Sequence, residues 1–97
     1  MSCNWGGFIK SGDWYIHEPT RRASNSLTDL LSYEDVRHYL RFRGGFFFSL
    51  SLSGIWSCYH PESGIKSGDG FGDPMDALID ILTNDAFLKY LEDRVNG

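Results

Sequence analysis

Four aspartates recur at short, regular intervals towards the carboxyl end of the chain. They lie four, three and four residues apart: Asp69, Asp73, Asp76 and Asp80. No lysine or arginine occurs between Lys66 and Lys89, so these carboxylates have no basic neighbour in that stretch. Carboxylates spaced by about 6 Å approximate the phosphates of a nucleic-acid backbone and bind the same arginines and lysines. The row therefore predicts an acidic surface for a basic partner, with Glu62 at its periphery.

The same aspartates also have an ordinary structural interpretation. Asp73-Pro74-Met75-Asp76 combines a capping acid, a proline at the first helical position and a second acid in the first turn. In this interpretation Asp73 caps a helix and Asp76 offsets the positive helix N-terminus. Asp80 is then a solvated surface acid, and the spacing alone does not separate the two alternatives.

Five arginines form the opposite charge group: Arg21, Arg22, Arg37, Arg41 and Arg43. One interpretation is a solvated face that pairs with Glu34 and Asp35. The other is a small phosphate-contacting patch, which would make the protein a nucleic-acid binder. The chain carries 9 basic and 13 acidic residues, a net charge of −4, whereas general nucleic-acid binders are basic. The overall charge therefore weighs against the second interpretation.

Motifs for catalysis or metal binding are weak. Cys58 and His60 lie two residues apart on a predicted strand, but a nucleophile pair also needs an orienting group and an oxyanion hole. The segment 69–73, DGFGD, lacks the alternating ligands of an EF-hand and the lysine of a P-loop. We therefore expect a protein that is not an enzyme and that holds no metal and no cofactor.

Patterning in the amino-terminal half predicts the elements that position these groups. Two aromatic and β-branched strands flank a turn at Gly12-Asp13: 5–10 and 14–18. Capping signals at Ser26 and Ser32 predict two helices: 27–31 and 33–41. For residues 36–43, a strand paired through Gly44-Gly45 is the alternative.

In the carboxyl-terminal half, residues 46–53 (FFFSLSLS) predict a strand whose core face holds four large side chains: Phe46, Phe48, Leu50 and Leu52. A return strand over 55–60, loops at 19–26 and 61–73, and helices at 74–82 and 85–95 complete the prediction. The order ββααββαα describes an α+β fold, with an antiparallel sheet of about four strands and helices packed on one face. We expect one domain, residues 1–97, with no internal repeat and no coiled-coil heptad.

Aromatic residues make up 15% of the sequence, more than a small core usually needs. Large aromatics at a surface often mark a protein interface. Four are candidates for the open face of the sheet: Trp5, Trp14, Tyr15 and Phe47. This arrangement would suit a protein adaptor or an immunity-type module. The alternative is a two-sided core with helices over both faces.

Cysteine usage and the absence of targeting signals bear on the compartment. Cys3 and Cys58 are expected to be small, half-buried thiols, and a bridge between them is possible but not needed. The first residues show no signal-peptide pattern, and the longest uncharged run, 44–59, is shorter than the roughly 20 residues of a spanning helix. These features predict a soluble, cytoplasmic protein.

The division of charge adds to the hypothesis of a basic partner. Residues 1–61 have a net charge of +1 and residues 62–97 a net charge of −5. With its length of about a hundred residues, its α+β pattern, its lack of a catalytic motif and the aspartate row, the chain resembles the small phage-encoded anti-CRISPR proteins. That resemblance implies a non-enzymatic inhibitor in the bacterial host cell, a DNA mimic that occupies the basic DNA path of a CRISPR–Cas surveillance complex. The aspartates would then act as phosphate surrogates.

Overall fold

The computed structural model describes residues 5–96, apart from the side chain of Trp5. Within this range a short 3-10 turn, Trp5–Gly7, precedes six strands in two antiparallel sheets and four helices. The elements are β1 (Phe8–Ser11), β2 (Trp14–His17), β3 (Arg22–Ser24), α1 (Leu27–Leu30), α2 (Glu34–Arg43), β4 (Phe47–Leu50), β5 (Trp56–His60), β6 (Ile65–Lys66), α3 (Pro74–Leu82) and α4 (Asp85–Asn96). The α+β class is confirmed.

The strand count and order differ from the prediction of about four strands in one sheet. The described residues form two three-stranded sheets, β1-β2-β3 and β4-β5-β6, in the order βββααβββαα. The additional strands β3 and β6 lie in the segments predicted as loops, where Ala23 pairs with Ile16 and Lys66 with Tyr59. These strands are two or three residues long and mostly polar, so no alternation marks them.

The helices follow their predicted spans closely. The helix prediction for residues 36–43 is confirmed by α2, and the strand alternative is wrong. The Ser26 hydroxyl accepts a hydrogen bond from the Asp29 amide at the start of α1, as the capping signal predicts. The capping prediction for Ser32 is wrong, because Tyr33 is the N-cap of α2 and the Ser32 hydroxyl donates to the Asp29 carbonyl. Because apolar side chains recur at helical spacing, α2 buries Val36 and Leu40. In the same way, α3 and α4 each turn an apolar stripe inward.

The core lies between the sheets and the helices, and it explains one wrong prediction. Phe46 is buried and Phe48 is partly buried against the core, as expected. Leu50 and Leu52 were also predicted to face the core, but both are exposed. The strand ends at Leu50, so Leu52 lies in the connecting hairpin and does not follow the alternation of the strand.

The sequence shows no internal repeat, but the described structure contains the element order βββαα twice. We name residues 5–43 the first unit and residues 44–96 the second unit. A Gly-Gly-Phe segment opens each one, at residues 6–8 and 44–46. The middle glycines, Gly7 and Gly45, have φ angles of 86° and 76°. Both therefore occupy a left-handed conformation that glycine adopts without strain.

Each unit also buries one histidine at the end of its second strand. The Nδ1 atom of His17 lies 2.7 Å from the Thr20 hydroxyl, and the Nδ1 atom of His60 lies 2.7 Å from the Ser63 hydroxyl. Each ring contacts the phenylalanine of its own Gly-Gly-Phe segment, with centroids 4.5 Å apart in the first unit and 4.7 Å in the second. A tyrosine from the second helix of the unit completes each cluster edge-on. The two units therefore share one packing arrangement.

Unequal loops hide this repeat in the sequence. The separation of phenylalanine and histidine is nine residues in the first unit and fourteen in the second, because the β4–β5 hairpin is longer. The connection from the third strand to the next helix is also longer in the second unit. Only the helical parts align without gaps: residues 78–94 match residues 27–43 at six identical positions. No fixed period runs through the whole chain.

Candidate functional site

The outer face of the second sheet is largely exposed in the described structure, and both longer loops of the second unit border it. The strand register places Phe47 opposite Tyr59 and Ser49 opposite Ser57. Their neighbours on the other face, including Cys58, turn towards the core. We call the outward set the open face: Phe47, Ser49, Ser57, Tyr59 and Lys66.

Two shallow depressions lie on the open face, and both longer loops border them. One is lined by polar groups from the three strands together with Ser67 and Asp69. The other lies under the hairpin tip, residues 51–55, where Leu50 and Ile55 provide an apolar wall and Asp69 lines the opposite side. The hairpin tip and the loop 67–73, here named the glycine loop, therefore meet at one place.

Backbone hydrogen bonds hold the glycine loop along β5. The Trp56 amide donates to the Phe71 carbonyl at 2.7 Å, and the Ser67 amide donates to the Cys58 carbonyl at 2.8 Å. The Asp80 carboxylate, on α3, accepts a hydrogen bond from the Gly68 amide at 2.9 Å. The loop is thus an ordered border of the open face, although its sequence predicts a flexible segment.

Exposed apolar side chains concentrate around this face. Among the described residues, six of the eight exposed large apolar side chains lie between positions 42 and 59. Phe47 is 64% exposed, and Leu52 at the hairpin tip is fully exposed. Residues 44–59 contain no charged side chain. Exposed apolar side chains that lie close together are typical of interaction sites, and the strand register places two of these six, Phe47 and Tyr59, side by side.

The five predicted acidic site residues have different surroundings. Asp69 lines both depressions on the open face. Asp73 is the N-cap of α3, but its side chain makes no capping hydrogen bond, which differs from the structural interpretation. Asp76 is exposed in the first turn of that helix. Asp80 anchors the glycine loop, so it is not a free surface acid, and Glu62 pairs with Arg94 at 3.0 Å.

Several of the arginines make contacts within the fold. Arg22 forms an ion pair with Asp35 at 3.0 Å, and its guanidinium lies over the Tyr33 ring. The Asp35 carboxyl consequently has a lowered pKa, mainly through its hydrogen bond from Arg22. Arg37 donates to the Leu31 carbonyl at the end of α1. The Arg22–Asp35 ion pair is one of those that the structural interpretation predicts, whereas Arg37 bonds a backbone carbonyl instead of an acid.

Cys58 and His60 both face the core and are buried. Burial raises the pKa of the Cys58 thiol to about 12, so the thiol stays protonated near neutral pH. Burial also lowers the pKa of His60 and of His17, which favours the neutral imidazole in each unit. Within residues 5–96, no three histidine, cysteine or acidic side chains form a cluster suited to a metal ion.

The aromatic prediction is correct for two of four residues. Trp14 and Phe47 are exposed, whereas Tyr15 is buried in the core, so its placement on an open face is wrong. The Trp5 side chain and Cys3 lie outside the described part of the chain. Tyr59 and the hairpin tip are surface candidates that the strand pattern did not indicate. The uncharged run 44–59 could have indicated this surface, because its apolar residues have no charged neighbours in the sequence.

No family model, no curated protein and no solved structure matches this chain. Across residues 5–96, no helix has both the length and the apolar character that a membrane crossing requires.

Proposed function

We propose that this protein is a non-enzymatic binding protein that contacts a protein partner through the open face and the hairpin tip. The observation that carries the proposal is the cluster of exposed apolar side chains there, including Phe47 and Leu52. Burying one such side chain is worth about 1.5–3 kcal/mol, and a few buried anchors supply most of the affinity of a protein interface. A partner that covers the cluster would therefore gain substantial binding energy.

The shape and chemistry of the surface favour a protein over a small molecule. Both depressions are open to solvent on one side, whereas small-molecule sites enclose most of their ligand. Aromatic rings at Phe47 and Tyr59 lie among serines, and charged groups at Lys66 and Asp69 lie at the border. An apolar centre with a polar rim is the usual anatomy of a protein interface.

Charge indicates the type of partner. Residues 62–97 carry a net charge of −5, and Asp69 of this segment lines both depressions, so the second unit suits a partner with lysines and arginines around an apolar centre. In its most specific form, the proposal is a phage-encoded inhibitor of a CRISPR–Cas surveillance complex that covers a basic nucleic-acid groove. The support for this form is the acidity of the second unit and the small size of the chain.

A second candidate is DNA mimicry by the aspartates alone. Asp69, Asp73 and Asp76 are exposed, and none of them forms an ion pair within the described residues. Their carboxylates are therefore available to arginines or lysines of a partner. This candidate needs no contribution from the apolar open face, so substitutions separate it from the first.

The test is capture from a bacterial lysate by the immobilised protein, read by mass spectrometry and followed by affinity measurements with the purified partner. We expect Phe47→Ser to weaken binding at least tenfold, because it removes an anchor side chain without touching the core. Trp14→Ser is the matched control, since it removes an exposed aromatic residue from the first unit. Equal loss of binding in both variants would contradict the proposal.

Charge reversal separates the two candidates. In the variant with Asp69→Lys, Asp73→Lys and Asp76→Lys, the open-face proposal predicts a reduced association rate, because exposed carboxylates attract a basic partner over a distance but do not anchor it. DNA mimicry predicts complete loss of binding for this variant and full binding for Phe47→Ser. Circular dichroism confirms that each variant is folded.

A further inference from the structure

Strand β4 presents unpaired backbone groups at the edge of the second sheet. The Ser51 amide donates to the Ile55 carbonyl, which fixes the hydrogen-bonded positions of the hairpin. Because these positions alternate in antiparallel pairs, Phe47 and Ser49 bond to β5, and the N–H and C=O groups of Phe48 and Leu50 point away from it. In the described part of the chain, no other segment pairs with this edge.

The opposite side of β5 gives an independent check of this alternation. The amides of Trp56 and Cys58, which are the register partners of Leu50 and Phe48, donate to Phe71 and Ser67 on the side away from β4. Trp56 and Cys58 therefore do not bond to β4. It follows that the backbone groups of Phe48 and Leu50 face the open edge.

Edge strands in natural proteins are normally protected by lysine, proline, a bulge or a covering helix. The equivalent edge strand of the first unit, β1, contacts α4, whereas the contacts of β4 are concentrated on β5. Residues 44–59 contain neither a charged residue nor a proline. The edge of β4 thus carries neither lysine nor proline, and no strand pairs with it in the described structure.

We infer that a second copy of this chain covers the edge, by antiparallel pairing of β4 with β4 around a twofold axis at Ser49. In this register Phe48 of each copy lies opposite Leu50 of the other. Each of these two pairs exchanges two backbone hydrogen bonds, so the N–H and C=O groups of Phe48 and Leu50 in both copies are all paired. The edge is self-complementary, because Phe48 and Leu50, whose backbone groups face the open edge, lie at equal distances on either side of Ser49.

The side chains are compatible with this pairing. The uncharged run 44–59 brings no like charges together at the axis, where Ser49 faces Ser49. The pairing joins the two second sheets into one of six strands, and the open faces of both copies become continuous. The pairing uses the backbone groups of Phe48 and Leu50 and needs no other protein, so this inference does not depend on the partner proposed above, although the Leu50 side chain lines one of the depressions.

Dimerisation of this chain and binding of a basic partner should respond differently to salt. Each chain has a net charge of −4, so the two copies repel one another and added salt should strengthen the dimer. Binding of a basic protein to the acidic unit should weaken with salt. Opposite responses to salt therefore separate the two associations in one sample.

Amide hydrogen exchange, followed by NMR at protein concentrations from about 10 µM to 1 mM, tests the pairing residue by residue. We expect the amides of Phe48 and Leu50 to become at least tenfold more protected as the concentration rises. The amides of Phe47 and Ser49, which bond to β5, should be protected throughout. Rapid exchange at Phe48 and Leu50 at every concentration, with a monomer in sedimentation at 1 mM, would overturn the inference.

Substitution at Leu50 gives the second test. Leu50→Pro removes one outward N–H, so we expect a monomer in sedimentation velocity. Leu50→Ala is the matched control, because it shortens the side chain but keeps the N–H, and it should still form a dimer. If Leu50→Pro is unfolded, Leu50→Lys places a charge at the edge and should also give a monomer. A folded proline or lysine variant that still forms the wild-type dimer would contradict the pairing.

Discussion

The two units of the protein bury the same side chains and differ in their loops. In each unit a phenylalanine, a histidine and a tyrosine pack together behind a three-stranded sheet. The second unit has a longer hairpin and a longer connection to its first helix, and both additions border the open face. The shared parts build the fold, so the additions are where a function beyond folding is expected.

Truncation of the repeated phenylalanine tests whether the two units are equivalent in stability. Phe8→Ala and Phe46→Ala each remove a buried ring in contact with a histidine, and each should cost about 3–5 kcal/mol in the free energy of unfolding. Urea denaturation measures this loss. Phe47→Ala, at an exposed neighbouring position, is the control and should change stability by less than about 0.5 kcal/mol.

The buried histidines predict a dependence of stability on pH. Burial lowers the pKa of both His17 and His60, so the unfolded chain binds more protons than the folded chain below about pH 6.5. The two histidines therefore do not reduce the free energy of unfolding above this pH. As the pH falls below it, the free energy of unfolding decreases by at most about 2.7 kcal/mol per pH unit for the two histidines together.

Urea unfolding between pH 7.5 and pH 5 checks this slope. If the two units are equivalent, His17→Gln and His60→Gln should each remove about half of the pH dependence of the free energy of unfolding. A slope that depends on one histidine only would show that the clusters differ despite their similar geometry.

The turn after each histidine predicts opposite effects of glycine in the two units. Arg21 has a φ angle of 58° and Gly64, at the equivalent position, has a φ angle of 74°. A left-handed conformation costs a non-glycine residue about 1–2 kcal/mol. Arg21→Gly should therefore stabilise the protein and Gly64→Ala should destabilise it, each by about 1 kcal/mol. Thermal unfolding of both variants measures the two signs.

The Asp29 and Asp80 pair tests the anchoring of the glycine loop. The two residues occupy equivalent helical positions, but only the Asp80 carboxylate accepts a hydrogen bond from a loop amide within the described residues. Asp80→Ala should lower the free energy of unfolding by about 1 kcal/mol, and Asp29→Ala by roughly half as much. Faster amide exchange at Gly68 in the first variant alone would confirm the role of this contact.

The smallest expected effect on stability is at the hairpin tip. Leu52 is fully exposed, so Leu52→Ser should change the free energy of unfolding by less than about 0.5 kcal/mol. The same variant should reduce partner capture, because the proposed contact includes this side chain. A large loss of stability would instead indicate that the hairpin tip supports the fold.

Much of the candidate site could not be predicted from the sequence. The aspartate spacing was visible, but Asp80 holds a loop and Glu62 pairs with Arg94, which only the folded chain shows. Tyr59 was missed because alternation gives the two faces of a strand without saying which face a helix covers. The third strands were missed because backbone pairing, rather than side-chain pattern, holds them.

The sequence by itself determined the α+β class, the positions of the helices and the concentration of acidity after residue 61. These depend on local signals, namely capping residues, apolar spacing and charge counts, that act over a few neighbouring residues. The tertiary structure decided which sheet face stays open, which acids are engaged and how two units of unequal loop length share one packing arrangement. Those outcomes depend on contacts between residues far apart in the chain, which no local pattern records.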